Sequence, residues 1–214
     1  MELKGLYAVT PDLSDTGELA WRIRQALDGG LRLLQYRNKS ADAALRREQS
    51  LALLGLCRGH GVPLVINDDL PLALDIGADG VHLGREDGNL AAARAALGPG
   101  KLLGVSCYAE MDRAREAGRI GADYVAFGSF FASPTKPAAV RAPLTLLAEA
   151  RNELGLPVCA IGGITLQNAP QLIEAGADLL AVISDVFEAP DIAARAAAYV
   201  KIWQMPLTPR VRPA

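Results

Sequence analysis

Cysteine, aromatic residues and lysine are all scarce in this chain. The three cysteines, Cys57, Cys107 and Cys159, are far apart and odd in number. No Cys-x-x-Cys or Cys/His metal spacing accompanies them, so the plain reading is buried thiols in a reducing cytoplasm. Aromatic residues make up 5% of the chain, which argues against base-stacking platforms for nucleic acid. There is no basic excess either: the net charge is -2, whereas a nucleic-acid-binding domain usually carries a basic patch or stripe. Long apolar runs are missing. Stretches such as Leu102–Val105 and Leu179–Ile183 are strand-sized and too short to span a bilayer. The first residues, MELKGLYAVTPD, lack a basic region followed by an apolar run, so no signal peptide is expected and the expected location is cytoplasmic.

What is present is enough hydrophobic material for one sizeable core: half of 214 residues. Continuous apolar runs of four or five residues fall near 5–9, 31–35, 63–66, 80–83, 102–106, 123–127, 157–161 and 179–183. Unbroken rather than alternating runs are the pattern of parallel strands covered on both faces. Helical periodicity lies between them, as in 42–58 and 109–119. One signal repeats: GADGVHLG at 77–84, GADYVAFG at 121–128 and GADLLAVIS at 176–184. In each, a glycine follows a helix, where a left-handed backbone is commonly needed, and a strand begins two residues later. Eight strands with intervening helices in about 200 residues match the small end of the (β/α)8 TIM barrel. The main alternative is a doubly wound open sheet. The barrel is expected to occupy residues 1–203 as a single domain. The proline-rich tail, 204–214, is expected to be a loose end.

In a barrel, active-site groups gather at the C-terminal ends of strands. Strand two runs into QYRNK, where Gln35, Arg37 and Lys39 alternate and share one face. Strand three runs into Asn67, Asp68 and Asp69, and strand four into HLGRED, with Asp87. Strand five ends at Ser106, strand six at FGSFFASPTKP, strand seven at IGGIT and strand eight at VIS. The helix-to-strand connections at the other end are bland by comparison. Of only five lysines, Lys39 and Lys136 sit in the two most polar strand-end segments, where a compact ammonium suits a phosphate.

Each segment also has a plain reading. Arg37 and Lys39 could be a solvated strand end. Asp69, and less naturally Asp68, could cap the helix that begins near Pro71, and Asp87 could cap the helix from Asn89. Gly162 and Gly163 could be a tight turn or could expose amides to a phosphate. His82 reads as a packed strand residue, since nothing pairs it with a second His or Cys.

Together the segments make chemical sense. Two carboxylates at adjacent strand ends can hold Mg²⁺, which completes its shell with water and substrate phosphate. Arg37, Lys39 and Lys136 supply positive charge for a diphosphate, and Gln35 and Asn67 can read a heterocycle. The glycines and Ser184 can hold a second phosphate after strands seven and eight. The pattern points to a two-substrate enzyme with a diphosphate leaving group.

These segments resemble the thiamine-phosphate synthase family. YAVTPD, QYRNK, NDD, GADGVHLGRED, GVS, SPTKP, IGGIT and VIS occur in that family's order and approximate spacing, over most of the chain. The resemblance implies a transferase of thiamine biosynthesis that joins a hydroxymethylpyrimidine diphosphate to a thiazole phosphate and releases pyrophosphate. It implies that Gln35, Arg37, Lys39, Asn67, Ser106 and Lys136 contact the pyrimidine diphosphate, with Arg37, Lys39 and Lys136 in the catalytic role. It implies that Asp68 and Asp87 bind Mg²⁺, and that Ser133, Pro134, Thr135, Gly163, Ile183 and Ser184 hold the thiazole phosphate. The partners would be these two small molecules, with no nucleic acid and no membrane.

The chain departs from the family pattern at three places. Asp69 stands where a cation is common, Gly88 where methionine is usual, and Ser133 where threonine is frequent. Two alternatives remain open: a thiazole tautomerase relative, which would not need the diphosphate and metal set, and a non-catalytic phosphate-binding barrel.

Overall fold

The computed structural model describes residues 2–132 and 141–204. The apolar runs form eight parallel strands: β1 (Gly5–Val9), β2 (Leu33–Tyr36), β3 (Leu64–Asn67), β4 (Gly80–Leu83), β5 (Leu102–Tyr108), β6 (Tyr124–Phe127), β7 (Val158–Ile161) and β8 (Leu179–Val182). Each pairs with its sequence neighbours, and β8 pairs back onto β1 in the register Gly5↔Leu179 to Ala8↔Val182. That closure selects the (β/α)8 TIM barrel over the open sheet, which would leave two edge strands. Strand β2 begins two residues later than the apolar run suggests. The Leu31 N–H is still bonded to the Ala26 carbonyl of the preceding helix.

The helices among the described residues are α1 (Thr16–Asp28), α2 (Ala43–His60), α3 (Leu70–Asp75), α4 (Leu90–Leu97), α5 (Met111–Ile120), α6 (Thr145–Leu154), α7 (Ala169–Glu174), α8 (Ser184–Phe187) and α9 (Ile192–Ile202). Asp15, Asp42, Asp69, Asn89 and Asp191 each accept a backbone N–H three residues on, so short polar side chains start α1, α2, α3, α4 and α9. Asp69 thus caps α3, as the sequence allows. Asp87 does not cap α4, because Asn89 has taken that place and leaves the Asp87 carboxylate for the strand ends.

Strand parity explains the unbroken apolar runs. Leu6, Ala8, Leu34, Tyr36, Val81, Leu83, Val125 and Phe127 face the helices in the large outer core. Tyr7, Val9, Leu33, Val65, Tyr124, Ala126, Cys159, Leu179 and Ala181 form a second core inside the barrel. The strands are therefore covered on both faces over most of their length, with half-buried or exposed residues at the C-terminal ends of β3, β5 and β7. The three cysteines are free and buried. No described helix is long and apolar enough to cross a membrane.

The repeated GAD segments lie at the N-terminal end of the barrel. Gly77, Gly121 and Gly176 have φ of 66°, 87° and 116°, a backbone open to glycine. The aspartates do something the repeat alone did not reveal. Asp79 accepts from the Leu64 N–H (2.9 Å), Asp123 from Leu103 (2.7 Å) and Asp178 from Val158 (3.1 Å). Each carboxylate ties the start of one strand to the strand before it. These contacts stabilise the end of the barrel remote from the site.

Candidate active site

The C-terminal ends of β1 and β2 are locked together. Thr10 Oγ1 accepts from the Arg37 N–H (2.8 Å) and donates to the Arg37 carbonyl (2.7 Å). Asp12 takes the Arg37 guanidinium (3.3 Å) and the Lys39 N–H (3.2 Å). The alternation expected in QYRNK holds. Tyr36 and Asn38 turn outward onto Gln49 of α2 at 2.9 and 3.0 Å, while Gln35 turns into the barrel. Arg37 and Lys39 line a cavity of about 320 Å³ together with Asn67, Asp68, Asp69 and Arg46.

Arg46, from α2, was not singled out by its sequence context. Its Nε is buried without a hydrogen-bond partner, and its Nη1 lies 4.0 Å from Asp69. The cation that the sequence lacks at position 69 is thus supplied to the same cavity from position 46. Asp69 is occupied by Arg46 and by the α3 cap.

Across the ends of β3 and β4, two carboxyls converge. Asp68 sits at φ 62°, a left-handed backbone uncommon for a non-glycine residue, which aims its side chain at the site. Its N–H donates to the His82 carbonyl (2.8 Å), and its carboxylate accepts from Asn67 Nδ2 (2.6 Å). Asp87 accepts from the Gly84 N–H (2.7 Å), which fixes the turn after β4. Arg113 bonds the carbonyls of Ser106 and Gly84, both at 2.7 Å, and so binds the ends of β5 and β4 to each other.

The Asp68 carboxyl is pushed up to about 6, first by burial and then by the hydrogen bond and negative charge of Asp87, with Asn67 and Lys39 opposing. Two carboxyls this close repel by more than Lys39 offsets, and that is an environment a divalent ion relieves. Among the described residues no group of three or more His, Cys, Asp or Glu side chains is placed to hold a metal. Two carboxylates with further positions left to water and substrate oxygens suit Mg²⁺ rather than a closed Zn²⁺ site.

Below this rim, polar side chains run through the barrel interior. His82 Nε2 meets Ser106 Oγ (2.8 Å) and His82 Nδ1 meets Tyr124 Oη (2.9 Å). Tyr124 Oη meets Tyr7 Oη (2.8 Å), and Gln35 Nε2 donates to Tyr7 Oη. Gly104 makes this possible. A Cβ there would sit 2.1 Å from Tyr124 and 2.6 Å from His82 Nδ1. Burial pushes His82 down to about 4, so the ring is neutral.

On the opposite side, the segment after β6 leans on the end of β7. Phe130 N–H donates to the Ile161 carbonyl and Phe131 N–H to the Gly162 carbonyl, at 3.2 and 3.1 Å. A Cβ on Gly162 would lie 2.0 Å from Ser129 Oγ, and one on Gly163 would lie 2.3 Å from the Ala132 carbonyl oxygen. The paired glycines therefore admit the neighbouring backbone. Gly163 follows β7, while Ile183 and Ser184 follow β8, the strand paired with it.

The family model described as thiamine monophosphate synthase matches residues 6–186. The chain belongs to that family. It is 61% identical over 197 residues to the thiamine-phosphate synthase of Aromatoleum aromaticum, covering 92% of this chain and 95% of the relative. It is 60% identical to that of an Azoarcus species, covering 92% and 96%. A solved thiamine phosphate pyrophosphorylase from Pyrococcus furiosus superposes with a TM-score of 0.83 at 32% identity, covering 95% of this chain and 96% of the other.

Of the side chains expected at the site of a thiamine-phosphate synthase, Arg37, Lys39, Asn67 and Asp68 share one cavity. Asp87 joins them through Asp68, while Gln35 and Ser106 lie in the barrel interior and are not among the residues that line that cavity. Gly163, Ile183 and Ser184 lie at the ends of β7 and β8. Ser133, Pro134, Thr135 and Lys136 lie outside the described residues. Arg46, Tyr7 and Tyr124 were missed. Arg46 looks like any helix cation in sequence, and the tyrosines look like ordinary strand aromatics.

Proposed function

We propose that the protein condenses 4-amino-2-methyl-5-hydroxymethylpyrimidine diphosphate with a thiazole phosphate, giving thiamine phosphate and pyrophosphate. The observation that carries this reading is the cavity in which Arg37, Lys39 and Arg46 lie with Asp68, whose carboxyl meets Asp87. Cations suit a diphosphate, and a pair of carboxyls that Lys39 only partly offsets suits the metal that accompanies it. Asp68 and Asp87 would hold Mg²⁺. When bound, the ion would offset negative charge on the diphosphate oxygens as the C–O bond breaks.

The remaining work belongs to the protein's own side chains. Arg37 binds the diphosphate with its guanidinium held by Asp12 and its backbone by Thr10, and Lys39 binds it from a segment whose N–H is tied to Asp12. Gln35 and Asn67 orient the heterocycle, and Ser106 meets the diphosphate from the β5 end. Lys136 adds a further cation, and Ser133, Pro134, Thr135, Gly163, Ile183 and Ser184 hold the thiazole phosphate. The thiazole nitrogen attacks the methylene as pyrophosphate leaves. The aminopyrimidine spreads the positive charge, so no protein nucleophile is required and positioning carries the rate. A cytoplasmic location, with two small molecules as partners and no nucleic acid, belongs to the same reading.

The test is pyrophosphate release from the purified protein with pyrimidine diphosphate and Mg²⁺, with and without thiazole phosphate, then with EDTA. Release that needs both substrates and stops with EDTA is expected. No release, in a protein that still binds thiazole phosphate, would favour a tautomerase relative or a binding barrel.

A further inference from the structure

We propose that the buried chain Gln35–Tyr7–Tyr124–His82–Ser106 is a hydrogen-bond relay of fixed direction, which couples the phosphate contact of Ser106 to the heterocycle contact of Gln35 and so selects an amino group over an oxo group on the pyrimidine. Tyr7, Tyr124 and His82 are positioning residues in this scheme. The inference rests on the substrate reading above.

The relay crosses the barrel through β2, β1, β6, β4 and β5. Four of its members are buried: Gln35 is 5% exposed, Tyr7 1%, Tyr124 0% and His82 6%, while Ser106, at the end of the relay, is half-buried. With so little water access, each link must be filled by a hydrogen of the relay itself. Four links need four hydrogens. Tyr7 and Tyr124 carry one each, and a neutral imidazole carries one. The fourth must come from one end, either the Gln35 amide or the Ser106 hydroxyl.

The two choices are opposite in direction. If Gln35 donates, Tyr7 donates to Tyr124, Tyr124 to His82 Nδ1, and the His82 Nε2–H to Ser106. Ser106 then keeps its own hydrogen for the site, and Gln35 presents Oε1. If Ser106 donates instead, every link reverses. Ser106 then has no hydrogen left for the site, and Gln35 presents its NH₂. A diphosphate accepts hydrogen bonds and does not donate them, so it selects the first direction. In that state Gln35 Oε1 accepts from an exocyclic amino group. An oxo group there would face a lone pair, and turning the amide to meet it would cost Ser106 its donor.

The experiment compares the Kd of the 4-amino and 4-oxo pyrimidine diphosphates, with Mg²⁺ and without thiazole phosphate, in wild type, Tyr124→Phe and Tyr7→Phe, since turnover would also report the effect of the amino group on cation formation. Val65→Ala, an interior change outside the relay, is the structural control. Wild type is expected to bind the amino compound about 100-fold more tightly, the cost of leaving buried polar groups unpaired. Either Phe variant frees Gln35 from Ser106, and that ratio is expected to fall at least ~10-fold, the size of one lost hydrogen bond. Val65→Ala leaves it unchanged. A ratio preserved in folded Tyr124→Phe and Tyr7→Phe overturns the relay while leaving the synthase reading intact. No binding of either compound by wild type, with no pyrophosphate release, overturns both. The tautomer gives a second readout that needs no relay variant. The ¹⁵N shifts of His82, distinguished from exposed His60 by a His60→Gln variant, should report Nε2–H with Mg²⁺ and pyrophosphate bound. An Nδ1–H tautomer under those conditions refutes the direction.

Discussion

Replacing Asp68 by Asn should abolish turnover and yet stabilise the metal-free protein. Asp68 stands at about 6 against an ordinary value near 3.8, because it is buried and faces Asp87. A carboxyl that holds its proton more tightly when folded costs stability once the pH exceeds both values. About two pH units correspond to ~3 kcal/mol at 1.36 kcal/mol per unit. Asp68 is only half-buried, and solvent screening reduces this to about 1–2 kcal/mol. For a chain of this size each kcal/mol moves Tm by roughly 2–4 °C, so Asp68→Asn should melt about 2–8 °C above wild type at pH 8 in EDTA. Asn keeps the acceptor for Asn67 and tolerates the positive φ at this position. The sign with pH is fixed. Wild type loses stability as pH rises from about 4 through about 6, so the gap should shrink to roughly a third of its pH 8 value at pH 4.5 and close only below about pH 4. Mg²⁺ at pH 8 should raise the wild-type Tm and leave the variant unmoved. Thermal melts across these conditions are the assay. A variant no more stable than wild type at pH 8, or equally responsive to Mg²⁺, would refute the carboxylate-pair reasoning.

Asp123→Ala removes the acceptor of the Leu103 N–H and the partner of Arg94, so stability should fall by about 1–3 kcal/mol while kcat is unchanged; a thermal melt with an activity assay checks both. Arg46→Ala should raise KM for the pyrimidine diphosphate ~10–100-fold, the size of a lost charge-assisted contact, with Arg46→Lys recovering part of it. A KM within about twofold of wild type would remove Arg46 from the site. Lys136→Ala should cut kcat by at least ~100-fold, on the scale of a lost electrostatic contact to the transition state, with no change in Tm. Full activity would remove Lys136 from the mechanism.

The barrel was legible because parallel strands covered on both faces leave unbroken apolar runs, and eight such runs separated by helical stretches admit few architectures. Closure was not legible. It rests on the β1–β8 pairing between residues about 174 positions apart, such as Gly5 and Leu179, and no local pattern encodes that contact. The site showed itself at β2 because period two sorts Gln35, Arg37 and Lys39 from Tyr36 and Asn38. It was less clear at Asp87, whose capping role fell to Asn89 two residues later, since both side chains satisfy the same local chemistry. Arg46 stayed hidden because a helix cation declares its role only when the cavity beneath it is known.

The deepest misreading risk lay in the barrel interior. His82 reads as a packed strand residue, and by burial it is one. Its function depends on what it packs against, and those partners lie 24 and 42 residues away, with Tyr7 117 residues beyond Tyr124. Gly104 belongs to the same contact. In sequence it is the first residue of a strand-end GVS; in space it is the opening that lets Tyr124 reach His82. A Cβ at 104 would fall 2.1 Å from Tyr124 and 2.6 Å from His82 Nδ1, between the two rings. Gly104→Ala should therefore imitate the relay break, with loss of amino selectivity outweighing loss of diphosphate binding. In the reading proposed above, the diphosphate cavity and the interior relay are distinct devices, and Ser106 is the relay's link to the diphosphate.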